Sequence, residues 1–121
     1  FDPENIKLDK PNIPVINTLR AFAISGYKIA IFSGRSAKTE EATKKWLNEN
    51  GCVYDILKMR PIKNFRPDED LKLLWFQDTF FTSGSSEFDG DVEMVFDDRQ
   101  KVVDMWREIG LTCAQVAPGN F

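Results

Sequence analysis

The sequence predicts an α/β fold in which a parallel sheet carries helices on both faces. Three observations lead there. Apolar segments alternate between helical and strand periodicity along nearly the whole chain. The strand-like segments are short, nearly continuous apolar runs, the pattern of strands buried on both faces. Each helix–strand alternation implies a right-handed crossover, which makes neighbouring strands parallel.

Residues 1–12 are polar, contain Pro3 and Pro11, and read as a loop. Ile13, Val15, Ile16, Leu19, Phe22 and Ala23 then recur at helical spacing, and Gly26 suits the left-handed position that closes such a helix. Tyr27 to Phe32 is an apolar run bounded by Gly26 and by Ser33-Gly34-Arg35, as expected of a buried parallel strand. The next helix has Ser36 or Thr39 as its cap. Glu40 and Glu41 favour its positive N-terminal end, Trp46 and Leu47 face inward, and Gly51 stops it.

Val53 to Met59 is a strand interrupted by Asp55 and Lys58, and 60–66 is a basic loop. Pro67 suits a first helical turn, followed by Leu71, Leu73, Leu74, Trp75 and Phe76. Residues 79–91 carry Thr-Ser-Gly-Ser-Ser and Asp-Gly, the signals of an exposed loop or small hairpin. Val92 to Phe96 is a strand running into Asp97-Asp98. A helix over 100–109 presents Val102, Val103, Met105, Trp106 and Ile109 on its apolar side and ends at Gly110. Thr112 to Val116 is the last strand, and Ala117-Pro118-Gly119 turns the chain away.

Composition narrows the chemistry. A chain of 121 residues is the size of one modest domain. Its 42% hydrophobic and 29% charged residues allow an ordinary core, with ten Phe and three Trp to fill it. A net charge of −3 argues against attachment to nucleic acid by global charge, though not against a local basic patch. The chain has no histidine, which removes Ser-His-Asp and Cys-His triads and His-ligated zinc. Any catalysis must run on carboxylates, Lys, Arg and hydroxyls.

Cys52 and Cys113 form no CxxC pair, so they read as small buried hydrophobes in a reducing, cytoplasmic setting. No apolar run approaches the ~20 residues of a membrane helix, and nothing resembles a signal peptide. The chain starts at Phe1 and not at Met, so the reading is either processing or a missing upstream piece.

In parallel sheets function collects beyond the carboxyl ends of the strands. That rule selects two segments. Asp97-Asp98 sets two carboxylates side by side, and their repulsion calls for a cation. Mg²⁺ is the natural partner, because it takes one or two carboxylates and keeps several waters. The alternative is that one of the pair caps the helix that follows, and the two roles are compatible. Ser33-Gly34-Arg35 offers a hydroxyl, a flexible backbone and a guanidinium, a set that can hold a phosphoryl group or simply make a turn. Lys72 sits near a helix start, where a lysine is ordinarily solvated. Lys58, Arg60, Lys63 and Arg66 concentrate positive charge around Phe65, as in a grip on a phosphodiester strand with a base stacked on the ring. The plain alternative is a solvated loop paired with Asp68, Glu69 and Asp70.

The ordered set Ile-Ala-Ile-Phe-Ser-Gly-Arg, Lys72 on a helix, and Val-Phe-Asp-Asp-Arg resembles motifs two, three and four of the haloacid-dehalogenase (HAD) superfamily. The match is closer to the 3′-phosphatase domain of phage-type polynucleotide kinase/phosphatase. The segment Asp97 to Arg107, the tail Cys113 to Phe121 and the spacing Arg60…Arg66…Asp68…Lys72 carry that part of the resemblance, which covers nearly the whole chain. It implies a Rossmann-like three-layer sandwich with a parallel sheet, formed as one phosphatase domain over 1–121.

The resemblance also implies roles. Ser33 binds the phosphoryl oxygens and Arg35 orients the substrate, with Gly34 beside them. Lys72 neutralises the nucleophile and the phosphate. Asp97 and Asp98 hold Mg²⁺. Arg60, Arg66 and Asp68 belong to the substrate-side loop. The substrate is a nucleotide or polynucleotide 3′-phosphate end, attacked by an aspartate to give an aspartyl-phosphate that water then releases.

One departure stands out. No Asp-x-Asp followed by Gly-Thr occurs anywhere, and Asp89-Gly90-Asp91 has the wrong order and context. The family's first motif supplies the nucleophile and the central strand, which lies between the strands ending at Ser33 and Asp97. The expectation is therefore an N-terminally truncated, inactive domain. Its two flanking strands either pair directly or recruit a partner strand, by homodimerisation or strand exchange. The site residues at 33, 72, 97 and 98 are expected to share one rim of the sheet. A second reading is a non-catalytic module that binds phosphate, nucleic acid or protein through the remaining site. A receiver-type signalling domain is disfavoured, because its acidic pair would precede its Ser/Thr and Lys.

Overall fold

The computed structural model describes residues 12–80 and 92–119. Over these residues the chain is α/β and every strand pairing is parallel, as the sequence predicts. It divides into two compact units, Phe1–Asn64 and Phe65–Phe121.

The first unit opens with helix α1, Ile13–Ile24. The Asn12 carboxamide caps it by accepting from the Val15 amide at 3.3 Å. Gly26 ends it at φ +99°, a conformation that costs a glycine little. The Tyr27 amide then donates back to the Phe22 carbonyl at 3.0 Å. That bond explains a shift in the following strand. Tyr27 is used in closing the helix, so β1 runs from Ala30 to Ser36 instead of from Tyr27 to Phe32.

After β1, a single 3₁₀ turn over Ala37–Thr39 leads into α2, Glu40–Glu49. Ser36 caps the 3₁₀ turn, and Thr39 precedes α2 without a side-chain capping bond. Strand β2, Ile56–Arg60, lies parallel to β1. Asp55 does not interrupt it. Its carboxylate accepts from the Ile29 amide at 2.7 Å just before the ladder begins.

The second unit opens with α3, Asp68–Phe80. Pro67 stands one residue before it, and the Pro67 carbonyl accepts from the Asp70 and Leu71 amides. Asp68, Glu69 and Asp70 set three negative charges against the positive end of the helix. Leu71, Lys72, Trp75, Phe76 and Thr79 fall on one buried face. Strands β3, Val95–Asp97, and β4, Cys113–Gln115, form a short parallel ladder that pairs Asp97 with Gln115. Between them α4, Gln100–Glu108, buries Val102, Val103 and Trp106. The Trp106 ring meets Phe76 edge-on at 5.6 Å.

Of the predicted loop or hairpin, Thr79 and Phe80 belong to α3, and 81–91 lie outside the described residues. So do residues 1–11. The two ladders are separate, β1 with β2 and β3 with β4. No described helix is long and apolar enough to cross a membrane.

Candidate active site

In the first unit, Ser33-Gly34-Arg35 is not a turn after the strand but part of β1 itself. The register runs Ser33 opposite Met59 and then Ser36 opposite Arg60, leaving Gly34 and Arg35 as the extra residues of a bulge. Bulges re-aim side chains at strand ends. The Ser33 hydroxyl accepts from the Arg35 amide at 3.2 Å, so the tripeptide folds on itself. Arg60 braces the bulge from β2. Its Nε donates to the Gly34 carbonyl at 2.8 Å, and its Nη1 donates to the Asn64 carbonyl at 3.3 Å. Lys63 takes φ +63°, a left-handed conformation uncommon for a lysine. At the start of the second unit, Phe65 is 91% exposed and Arg66 is exposed.

In the second unit, Lys72 is only 8% exposed, so the solvated reading of this helix lysine fails. Its Nζ donates to Asp97 Oδ2 at 3.0 Å, with side chains 10% and 9% exposed. Asp97 Oδ1 turns the other way and accepts from the Asp98 amide at 2.9 Å and the Arg99 amide at 3.4 Å. The helix-capping alternative is not realised. The N-cap of α4 is Arg99, with no side-chain capping bond, because Asp97 has turned onto its own turn and onto Lys72.

The carboxylate of Asp98 is exposed and has no hydrogen bond or ion pair among the described residues. Asp68 sits at the start of α3, and its carboxylate accepts from Arg99 Nη1 at 2.7 Å. The structure thus brings together Lys72 with Asp97, and Asp68 with Arg99. In the first unit it brings together Ser33, Gly34, Arg35 and Arg60.

The backbone of the acidic turn is fully accounted for. The Asp97 carbonyl accepts from the Val116 amide at 3.1 Å, and the Asp98 carbonyl from Gln115 Nε2 at 3.0 Å. The Arg99 carbonyl accepts from the Val102 and Val103 amides, and the Gln100 amide donates to the Gly119 carbonyl at 2.6 Å. With the 98 and 99 amides on Asp97, no polar backbone group from the Asp97 carbonyl to the Gln100 amide is left unmatched. Gly119 permits this docking, because a Cβ there would overlap the Asp98 carbonyl.

No cluster of three or more His, Cys, Asp or Glu side chains is placed to cage a metal among the described residues. Mg²⁺ does not need such a cage. It binds through one or two carboxylates and retains water. Asp98, open to solvent, and the one lone pair left on Asp97 Oδ2 beside Lys72 are the carboxylate positions that fit that requirement. Lys72 offsets part of the repulsion between the two carboxylates.

Cys113 lies on β4 near this turn. Burial pushes its thiol above the ordinary value of 9.0, and the Asp97 charge pushes further, against opposing pulls from Arg107 and Lys72. Cys52, half-buried, is raised by burial with Arg20 pulling back. Both are free thiols; Cys113 is buried, as the sequence reading has it, whereas Cys52 is only half-buried.

Sequence reasoning missed Arg99 and Gln115. Arg99 had a weak signal, a cation directly after an acidic pair. Gln115 had none, since its role depends on strand register.

The chain resembles known proteins in sequence and fold along its length. The model of the polynucleotide kinase PNKP phosphatase domain matches residues 1–121. A chain in the solved Pnkp1/Rnl/Hen1 RNA repair complex superposes with a TM-score of 0.84 at 36% identity, over 99% of this chain and 38% of that one. A chain from a second structure of a Pnkp1/Rnl/Hen1 complex gives 0.82 at 37% identity, over 93% and 38%. The fold is thus HAD-like, and the chain spans little more than a third of the length of these relatives.

Proposed function

We propose, on the premise that this chain belongs to the polynucleotide kinase PNKP phosphatase domain family, a HAD-type phosphatase family, that residues 1–121 act as the phosphate-handling part of a phosphohydrolase. Its substrate class is the 3′-phosphate end of a nucleotide or polynucleotide. RNA is the favoured polynucleotide, because the similar solved chain comes from an RNA repair complex.

The observation that carries this reading is the Lys72–Asp97 pair. A buried ion pair contributes little net stability once desolvation is counted, so its presence at a strand end points to a site. In this reading Asp98 and Asp97 hold Mg²⁺, and the ion supplies charge neutralisation to the phosphoryl oxygens. Lys72 holds the Asp97 carboxylate in place and lends positive charge to the phosphate. The Ser33 hydroxyl and the Arg35 guanidinium bind phosphoryl oxygens. Gly34 keeps the bulge backbone open to them. Arg66 meets the substrate strand, Arg60 shapes the loop that carries it, and Asp68 acts through Arg99. The attacking aspartate of the Asp-x-Asp-Gly-Thr motif is not in this sequence. The 121-residue chain therefore binds phosphate ends without turning them over.

The test compares two short RNA oligonucleotides, one ending in a 3′-phosphate and one in a 3′-hydroxyl, titrated into the chain with Mg²⁺ and followed by anisotropy. Tighter binding of the phosphorylated end, lost in Lys72→Met, is expected. Equal binding of both ends would sink the assignment. Mg²⁺-dependent turnover of a phosphate ester, abolished by Asp97→Ala, would refute the inactivity of this chain.

A further inference from the structure

The acidic turn is held on one side by a chain of side chains whose hydrogen-bond polarity is set from a distance. Asp104 on α4 accepts from Gln100 Nε2 at 2.7 Å. Gln100 Oε1 in turn accepts from Gln115 Nε2 at 3.1 Å, and the same Gln115 nitrogen donates to the Asp98 carbonyl at 3.0 Å. An ionised carboxylate only accepts hydrogen bonds, so Gln100 must present its NH₂ to Asp104. Its oxygen then faces Gln115, and Gln115 must answer with its own NH₂. Both protons of that group are thereby assigned, one to Gln100 and one to the Asp98 carbonyl.

We infer that Asp104, Gln100 and Gln115 form a polarity relay that positions the Asp97–Arg99 turn for its cation. This rests on the reading of Asp97 and Asp98 as Mg²⁺ ligands. Gln115 and Asp104 are positioning residues, since neither side chain is placed on the cation. The relay explains why a glutamine faces the Asp98 carbonyl. A reversed Gln115 amide would set oxygen against oxygen at both the Asp98 carbonyl and Gln100 Oε1. With Asp104 anchoring the far end, only the attractive orientation survives.

The experiment is an NMR titration of the 121-residue chain with MgCl₂, reading the amide signals of Asp98 and Arg99. The exchange of the side-chain NH₂ of Gln115 is measured alongside, against a free glutamine amide. Gln115→Met keeps the bulk and removes the donors, and is expected to weaken Mg²⁺ about fivefold, the scale of one hydrogen bond. Asp104→Asn can still present an oxygen, and is expected to stay within about twofold of the parent. Gln115→Glu separates positioning from charge. It adds a negative charge near the cation, so a purely electrostatic account predicts tighter binding. The relay predicts weaker binding, because a carboxylate facing the Asp98 carbonyl pushes the turn away.

Tighter binding by Gln115→Glu, or unchanged binding by Gln115→Met, overturns the positioning role. If the parent chain takes no Mg²⁺, the metal reading fails, and the relay is decided by exchange alone. Slow exchange of the Gln115 NH₂ that is lost in Asp104→Leu supports it, and exchange as fast as the free amide refutes it.

Discussion

Replacing Lys72 by methionine isolates the physics of the site. The side chain keeps its apolar stem and loses its ammonium, which leaves Asp97 Oδ2 without its 3.0 Å partner at a position where the carboxylate is 9% exposed. Breaking a buried ion pair from one side costs about 3–5 kcal/mol, because the surviving charge is left desolvated. Asp97 retains two backbone donors, at 2.9 and 3.4 Å, which places the loss at the lower end. A cost of about 3 kcal/mol is a large share of the roughly 5–15 kcal/mol that holds a domain together. With a slope of about 2 kcal/mol per molar urea, the midpoint falls by about 1.5 M.

The assay is urea unfolding followed by tryptophan fluorescence, in which Trp75 and Trp106 report on the second unit. The double variant Lys72→Met/Asp97→Asn separates charge from packing. A neutral Asn can still accept from the Asp98 and Arg99 amides, so most of the lost stability returns. A midpoint shift below about 0.5 M for Lys72→Met, or a double variant no better than the single, would show that the charges are hydrated and that the site argument is wrong.

Three further outcomes follow from the packing and the thiols. Leu71→Ala empties a position that is 1% exposed and should destabilise the chain by about 2–5 kcal/mol in the same urea assay. Gly119→Ala places a methyl against the Asp98 carbonyl, so the tail should detach from the turn. The check is faster hydrogen exchange at the Gln100 amide, which Gly119 otherwise covers. Burial, with Asp97 beside one of them, raises both thiols in the folded chain, so folding favours their protonated forms. That contribution is complete below the ordinary thiol value of 9.0 and is lost as pH climbs through the raised folded values. Urea midpoints should therefore decline above pH 9.0, and Cys113 should react with a thiol reagent more slowly than Cys52.

The local sequence determined the order of elements and the glycine stops of three helices, because those depend on near-neighbour physics, while the strand ends shifted by several residues. Gly26, Gly51 and Gly110 all take positive φ after the helices they close. The apolar runs became parallel strands, but these are mostly half-buried and not covered on both faces as read from their apolarity. The carboxyl-end rule selects Asp97 and the Ser33 segment from the sequence alone.

What the tertiary structure alone decided is which polar groups lose water and which partner each one finds. Lys72 reads as a solvated helix lysine by every local criterion. Its desolvation comes from the buried face of α3 and from the strand that ends at Asp97. The bulge at Gly34 and Arg35 arises from registry between β1 and β2, and Gln115 reaches the acidic turn because β4 lies parallel to β3 in one particular register. Periodicity along a chain encodes which residues are apolar. Pairing of charges and amides is a property of distances between segments far apart in sequence, and those distances exist only once the chain has folded.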